Sequence, residues 1–136
     1  MNKLKLVCLA SVLTTGLSYA SCDNFIIKIV NNTTDDFIIS HIKLTNAELK
    51  PNSIVVTLGK KDSGRDTQSF YVSASGSADM DGSMTLTRVS LPPKTVNIAY
   101  MLQKNLSMCN HTDNQSGGEY SVSNSRGVGV VTYTIG

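Results

Sequence analysis

The chain has 136 residues, of which 40% are hydrophobic and 16% charged, with no tryptophan and a formal net charge of +2. That length suits one globular domain with a modest core. Lys3 and Lys5 are two of the 12 basic residues, so the remaining ten face ten acidic side chains, and this balance excludes the basic footprint of a nucleic-acid binder or a polybasic membrane anchor.

The first 20 residues read as a secretory leader: Lys3 and Lys5, an apolar run over 6–13, then Ser18, Tyr19 and Ala20, with small residues where a signal peptidase reads. The run is about half of the ~20 apolar residues that a transmembrane helix needs. Cleavage leaves one domain at 21–136, exported to the periplasm or beyond, and the short Lys-led leader is bacterial in style. Cys22 lies near the cut, but Tyr19 stands where a lipid-attachment motif requires an aliphatic residue. Cys8 leaves with the leader, and in an exported domain the remaining pair, Cys22 and Cys109, reads as one disulfide.

The first expected strand is 25–31, with Phe25, Ile27 and Ile29 on one face, followed by an Asn/Thr/Asp turn over 31–36. Strands at 37–44 and 53–58 come next, the latter with Ile54, Val56 and Leu58 on one side, and then a charged loop over 59–67. The alternating runs 69–75 and 84–88 are expected to face each other as a hairpin across a Gly/Ser/Asp-rich connection. A change of parity between Leu86 and Val89 calls for a bulge near Thr87 and Arg88, and Pro92 and Pro93 stop the strand. Val96, Ile98, Tyr100 and Leu102 form the cleanest inward face. The polar stretch 105–119 reads as a long loop, or a loop with a short strand around Cys109, and 120–124 with 127–135 as a hairpin across Ser125 and Arg126. About eight short strands and no helical periodicity predict an all-β, antiparallel two-sheet sandwich, with barrel-like closure as a variant.

The opening IIKIVNNTTDDFIISHIKL, the segment SFYVSASGSADMDGSMTL with Gly76 and Gly82, and LPPKTVN resemble, in order and spacing over 25–100, the aegerolysin and actinoporin-like sandwiches. The resemblance implies a small secreted protein that binds membrane lipid. Those proteins contact lipid through exposed tryptophan and tyrosine, and this chain departs from them in having no tryptophan.

Residues 77–82 place oxygens at alternate positions with Gly82 sixth, as in a calcium loop. The twelfth position, which must supply a bidentate Glu, is Arg88, so Asp79 and Asp81 read as turn residues. Met108, Cys109 and His111 could chelate copper(I), provided Cys109 is not in a disulfide. His41 and His111 are far apart in the chain, and no catalytic motif surrounds either. Asn32, Asn105, Asn110 and Asn114 begin Asn-x-Ser/Thr triplets, which matter only in a eukaryotic secretory route.

The reading is therefore a non-enzymatic exported protein, needing no cofactor, whose loops recognise a lipid, a glycan or another protein. The candidate binding residues are Lys60, Lys61, Arg65, Asp79, Asp81, Asn110 and His111. Periplasmic copper handling is one alternative. Another is a structural subunit exchanging its Val- and Thr-rich terminal strand 127–135.

Overall fold

The computed structural model describes residues 22–106 and 108–136; the leader reading lies outside the described residues. The strands are β1 (Ile26–Asn31), β2 (Phe37–Leu44), β3 (Glu48–Lys50), β4 (Val56–Leu58), β5 (Thr67–Ser73) and β6 (Met80–Arg88). They continue as β7 (Thr95–Asn105), β8 (Met108–Asp113), β9 (Gly117–Gly118), β10 (Val122–Gly127) and β11 (Val130–Ile135). One sheet has the order β10-β11-β1-β5-β3 and the other β4-β2-β6-β7-β8, with β9 continuing beside β7. Pairing is antiparallel except between β1 and β11, which run parallel. The sheets form a sandwich, as the alternation predicts, without closing into a barrel.

The core is the sum of the inward faces. Ile27 and Ile29 from β1, Phe70 and Val72 from β5, and Val131, Tyr133 and Ile135 from β11 line one sheet. Met84 and Leu86 from β6, and Val96, Ile98, Tyr100 and Leu102 from β7, line the other. Gly82 sits opposite Tyr100 in the ladder, and a Cβ built there would come within 2.2 Å of the Tyr100 ring carbon. The glycine is thus the space into which the phenol ring folds. Cys22 and Cys109 are disulfide-bonded, tying the first described residue to edge strand β8. The bond spans 87 residues and, in the chain-entropy account, is worth about 4–5 kcal/mol.

Several expectations are corrected. The runs around Phe70 and Met84 both alternate, but β5 and β6 belong to different sheets: β5 pairs with β1 and β3, β6 with β2 and β7. The connection 74–79 is long enough to cross between layers, and alternation fixes an inward face without naming the neighbour. No bulge follows Leu86; β6 continues to Arg88 and leaves Val89 exposed in the next loop. The irregularity lies instead in β2, between Ser40 and Lys43, where His41 adopts a left-handed φ of 51°. Phe37 and Ile39 face inward before it, and half-buried Ile42 and Leu44 after it, so the extra residue keeps His41 and Lys43 in solvent. The strand expected over 53–58 begins only at Val56, as β4, with Ile54 90% exposed, and the expected connection before it holds β3. The last hairpin turns at Val128 and Gly129, where Gly129 takes a φ of 70°, rather than at Ser125 and Arg126.

Candidate functional site

The turn after β1, the loops 59–66 and 89–94, and residues 119–121 meet at one end of the sandwich. Asn31, fully buried, organises them. Its amide Nδ2 donates to the carbonyls of Asp35 (2.7 Å) and Gly59 (2.9 Å), and its Oδ1 accepts from the Thr33 amide and hydroxyl. Every hydrogen-bonding capacity of the side chain is used, which is what a buried amide requires. Further backbone bonds link Lys61 to Thr33 and Val89 to Asp36, and the Asp36 carboxylate accepts from the Lys60 amide.

Asp35 is the second organiser. Tyr120 donates its hydroxyl to the carboxylate at 2.6 Å, and the Arg88 guanidinium lies 3.8 Å from the same oxygen. Arg88 also donates to the Pro92 carbonyl, bracing the 89–94 loop from within. The Tyr120 ring meets Phe37 edge-on at 5.0 Å and carries the Lys94 ammonium 5.8 Å from its centroid. Burial, and then the hydrogen bond to Asp35, raise the Tyr120 pKa, so the phenol stays a donor.

On this braced platform Leu91 is 85% exposed and Val89 55%. Beside them a cleft of about 230 Å³ has Phe37 and Leu58 in its floor and Asp36 and Arg65 at its rim. Lys60, Lys61 and Arg65 are exposed around it. An apolar tip ringed by charged and polar groups can enter an interfacial or apolar environment while the ring stays hydrated.

The sequence-predicted residues do not converge on one site. Lys60, Lys61 and Arg65 lie at the platform, whereas Asp79 and Asp81 flank the first residue of β6, about 25 Å away at the other end of that strand. There the Asp79 carbonyl and carboxylate accept from Asn46 and Gln103, and the Asp81 amide donates to Thr45. Asn110 and His111 are on β8 rather than in a loop. The disulfide takes the Cys109 sulfur from any copper set and the Cys22 sulfur from any lipid anchor, while Met108 is exposed and His111 faces inward. Among the described residues no group of three His, Cys, Asp or Glu side chains is placed to hold a metal.

His111 joins the two sheets through Tyr133, whose hydroxyl is 2.7 Å from the imidazole Nε2. The Tyr133 hydroxyl donates to Asp113 at 2.9 Å, so its oxygen accepts from the His111 Nε2–H. Nδ1 is buried without a hydrogen-bond partner among the described residues, as is the Tyr100 hydroxyl on the neighbouring strand. Ser116 completes the set, donating its amide and hydroxyl to Asp113 and accepting from the Ala99 amide at 3.0 Å. Arg126 caps the His111 carbonyl at 3.0 Å. Burial and then the Arg126 charge lower the His111 pKa, against an opposing pull from Asp113. Desolvation opposes ionisation of Asp113, but hydrogen bonds from Ser116 and Tyr133 outweigh it and lower its pKa; burial raises those of Tyr100 and Tyr133. The order Ser116–Asp113–Tyr133–His111 puts no exposed hydroxyl on the imidazole, and the arrangement acts as a clasp between the layers. His111, Asp113 and Ser116 are neighbours in the sequence, but Tyr133 is brought to them only by the fold, beyond the reach of a local motif.

No protein-family model and no curated protein matches this chain.

Proposed function

We propose that this is an exported binding protein, acting without catalysis, that engages a lipid surface through the platform at the Asn31–Asp35 end. One observation carries the reading: Leu91 and Val89 are held out in solvent on a loop braced by the Arg88 bond to the Pro92 carbonyl and by the Val89 amide bond to Asp36, so apolar side chains are presented on a pre-organised support. The disulfide fits an oxidising compartment. No helix among the described residues is long and apolar enough to cross a membrane, so attachment in this reading is peripheral. The resemblance of 25–100 to the aegerolysin and actinoporin-like sandwiches points the same way, with Leu91 and Val89 in place of tryptophan at the surface.

Co-sedimentation with vesicles of phosphatidylcholine, alone and with phosphatidylglycerol, tests it. The protein is expected to pellet with vesicles, and Leu91→Ser, which costs no core packing, to reduce the bound fraction at least fivefold. Failure to pellet on either composition, or an unaffected Leu91→Ser variant, rejects the lipid reading. Signals on a glycan array would redirect the platform to sugars.

A further inference from the structure

On the side away from β6, β2 has a strand neighbour only along Phe37, Ile38 and Ile39, where β4 pairs with it. Beyond Ile39 no described strand flanks that side. Antiparallel strands direct their N–H and C=O groups alternately to either neighbour, so past the irregularity at His41, where β2 resumes its ladder at Lys43 and Leu44, its other backbone groups lie along an open edge within 40–44. The loop 51–55 stands beside this edge without making a backbone hydrogen bond to it among the described residues.

Between edge and loop run two clefts of about 490 and 300 Å³, which share Ile42, Asn52 and Ser53 and therefore form one groove. Its floor includes Ile42, Leu44 and Ala47, which pack on the core but remain half-exposed. The first two point inward because of the irregularity at His41. The outer wall carries Ile54 and Val55, the latter 50% exposed.

We infer that this groove accepts an extended segment of a partner protein as an added strand beside β2. The backbone edge demands a strand; the floor demands an apolar side chain at every second position, seated over Ile42 and Leu44. Lys43, exposed on the outward face, favours an acidic residue beside it at an intervening position. A second copy of this chain is a poorer occupant, because its edge strand brings a whole sheet behind it into the wall formed by 51–55, whereas a lone peptide has nothing on its outer side. This surface is separate from the platform at Leu91 and does not depend on lipid binding.

The probe is a fluorescein-labelled octapeptide, Ser-Val-Glu-Val-Thr-Val-Thr-Ser, titrated into the protein and followed by anisotropy, with hydrogen exchange locating the site. Binding is expected to saturate and to protect amides within 40–44. Ser53→Trp, on the exposed wall, should weaken it at least tenfold by filling the groove, and N-methylation of alternate peptide amides should abolish it. No saturation up to millimolar peptide, equal affinity in Ser53→Trp, or protection along β10 instead overturns the inference. So does a concentration-dependent dimer, seen by light scattering, that Ser53→Trp dissociates, since it would make a second copy the occupant.

Discussion

The imidazole Nε2 of His111 on β8 and the hydroxyl of Tyr133 on β11 meet at 2.7 Å, each buried, and this contact bridges the two sheets. The neutral imidazole fits because a second proton would land on Nδ1, which has no acceptor among the described residues. Tyr133, Tyr100, Asp113 and Arg126 surround the ring, and the net effect is a pKa below the ordinary 6.5.

The sign of the pH dependence follows. The unfolded chain takes up a proton near pH 6.5 while folded His111 does so only at lower pH, so stability is full above about 6.5 and falls as pH drops toward the folded value. Asp113, lowered from 3.8, adds a second loss that begins near its unfolded value, below about pH 4. Urea midpoints at pH 7.5, 6.0 and 5.0 should decrease in that order. His111→Gln, which can still donate to Tyr133, should flatten the dependence over this range; an equally steep slope in the variant contradicts the assignment.

Replacing both disulfide cysteines, Cys22→Ser with Cys109→Ser, removes the link across 87 residues and should lower unfolding free energy by about 4 kcal/mol, read from urea denaturation without reductant. A midpoint within error of the parent protein would mean that the unfolded chain is already compact around that pair.

Asn31→Ala strips two carbonyls of their donor and Thr33 of its acceptor in a buried site, a loss of about 2–4 kcal/mol. Asn31→Asp should be at least as damaging despite its similar size, since a carboxylate cannot donate to the Asp35 and Gly59 carbonyls. Thermal denaturation of both variants checks the order; a benign Asn31→Asp would show that the amide proton donors carry little of the energy.

Gly82→Ala forces a methyl group against the Tyr100 ring and should cost about 1–3 kcal/mol. Tyr100→Leu withdraws the ring, so in the double variant the alanine should cost much less, giving a coupling energy of at least about 1 kcal/mol in a double-mutant cycle. Additive effects would place the strain elsewhere.

What was legible in the sequence was local. The alternation around Ile27, Ile98 and Tyr133 specified which residues face the core, because a half-buried strand writes its burial at every second position. Cys22 and Cys109, read as the pair that a leader's removal would leave, are bonded to each other. Partnership between strands was not legible: the run at Phe70 carries nothing to say that Ile27 rather than Met84 lies beside it. The register shift at His41 was hidden because one extra residue in a strand looks like imperfect alternation. Glu48–Lys50 is too short to display a period. Of the proposed site, Lys60, Lys61 and Arg65 could be picked out by loop composition, but Asn31 and Asp35 looked like ordinary turn residues. Their role rests on Gly59, Arg88 and Tyr120, which only the folded chain brings near.

The parallel pairing of β1 with β11 has a consequence for the order of assembly. Ile26 lies beside Val130 in that pairing, so the layer cannot close until the chain has been made at least as far as β11. Until then Ile27 and Ile29 have only β5 beside them, so burying their side chains waits on a contact that is distant in the sequence and slow to close.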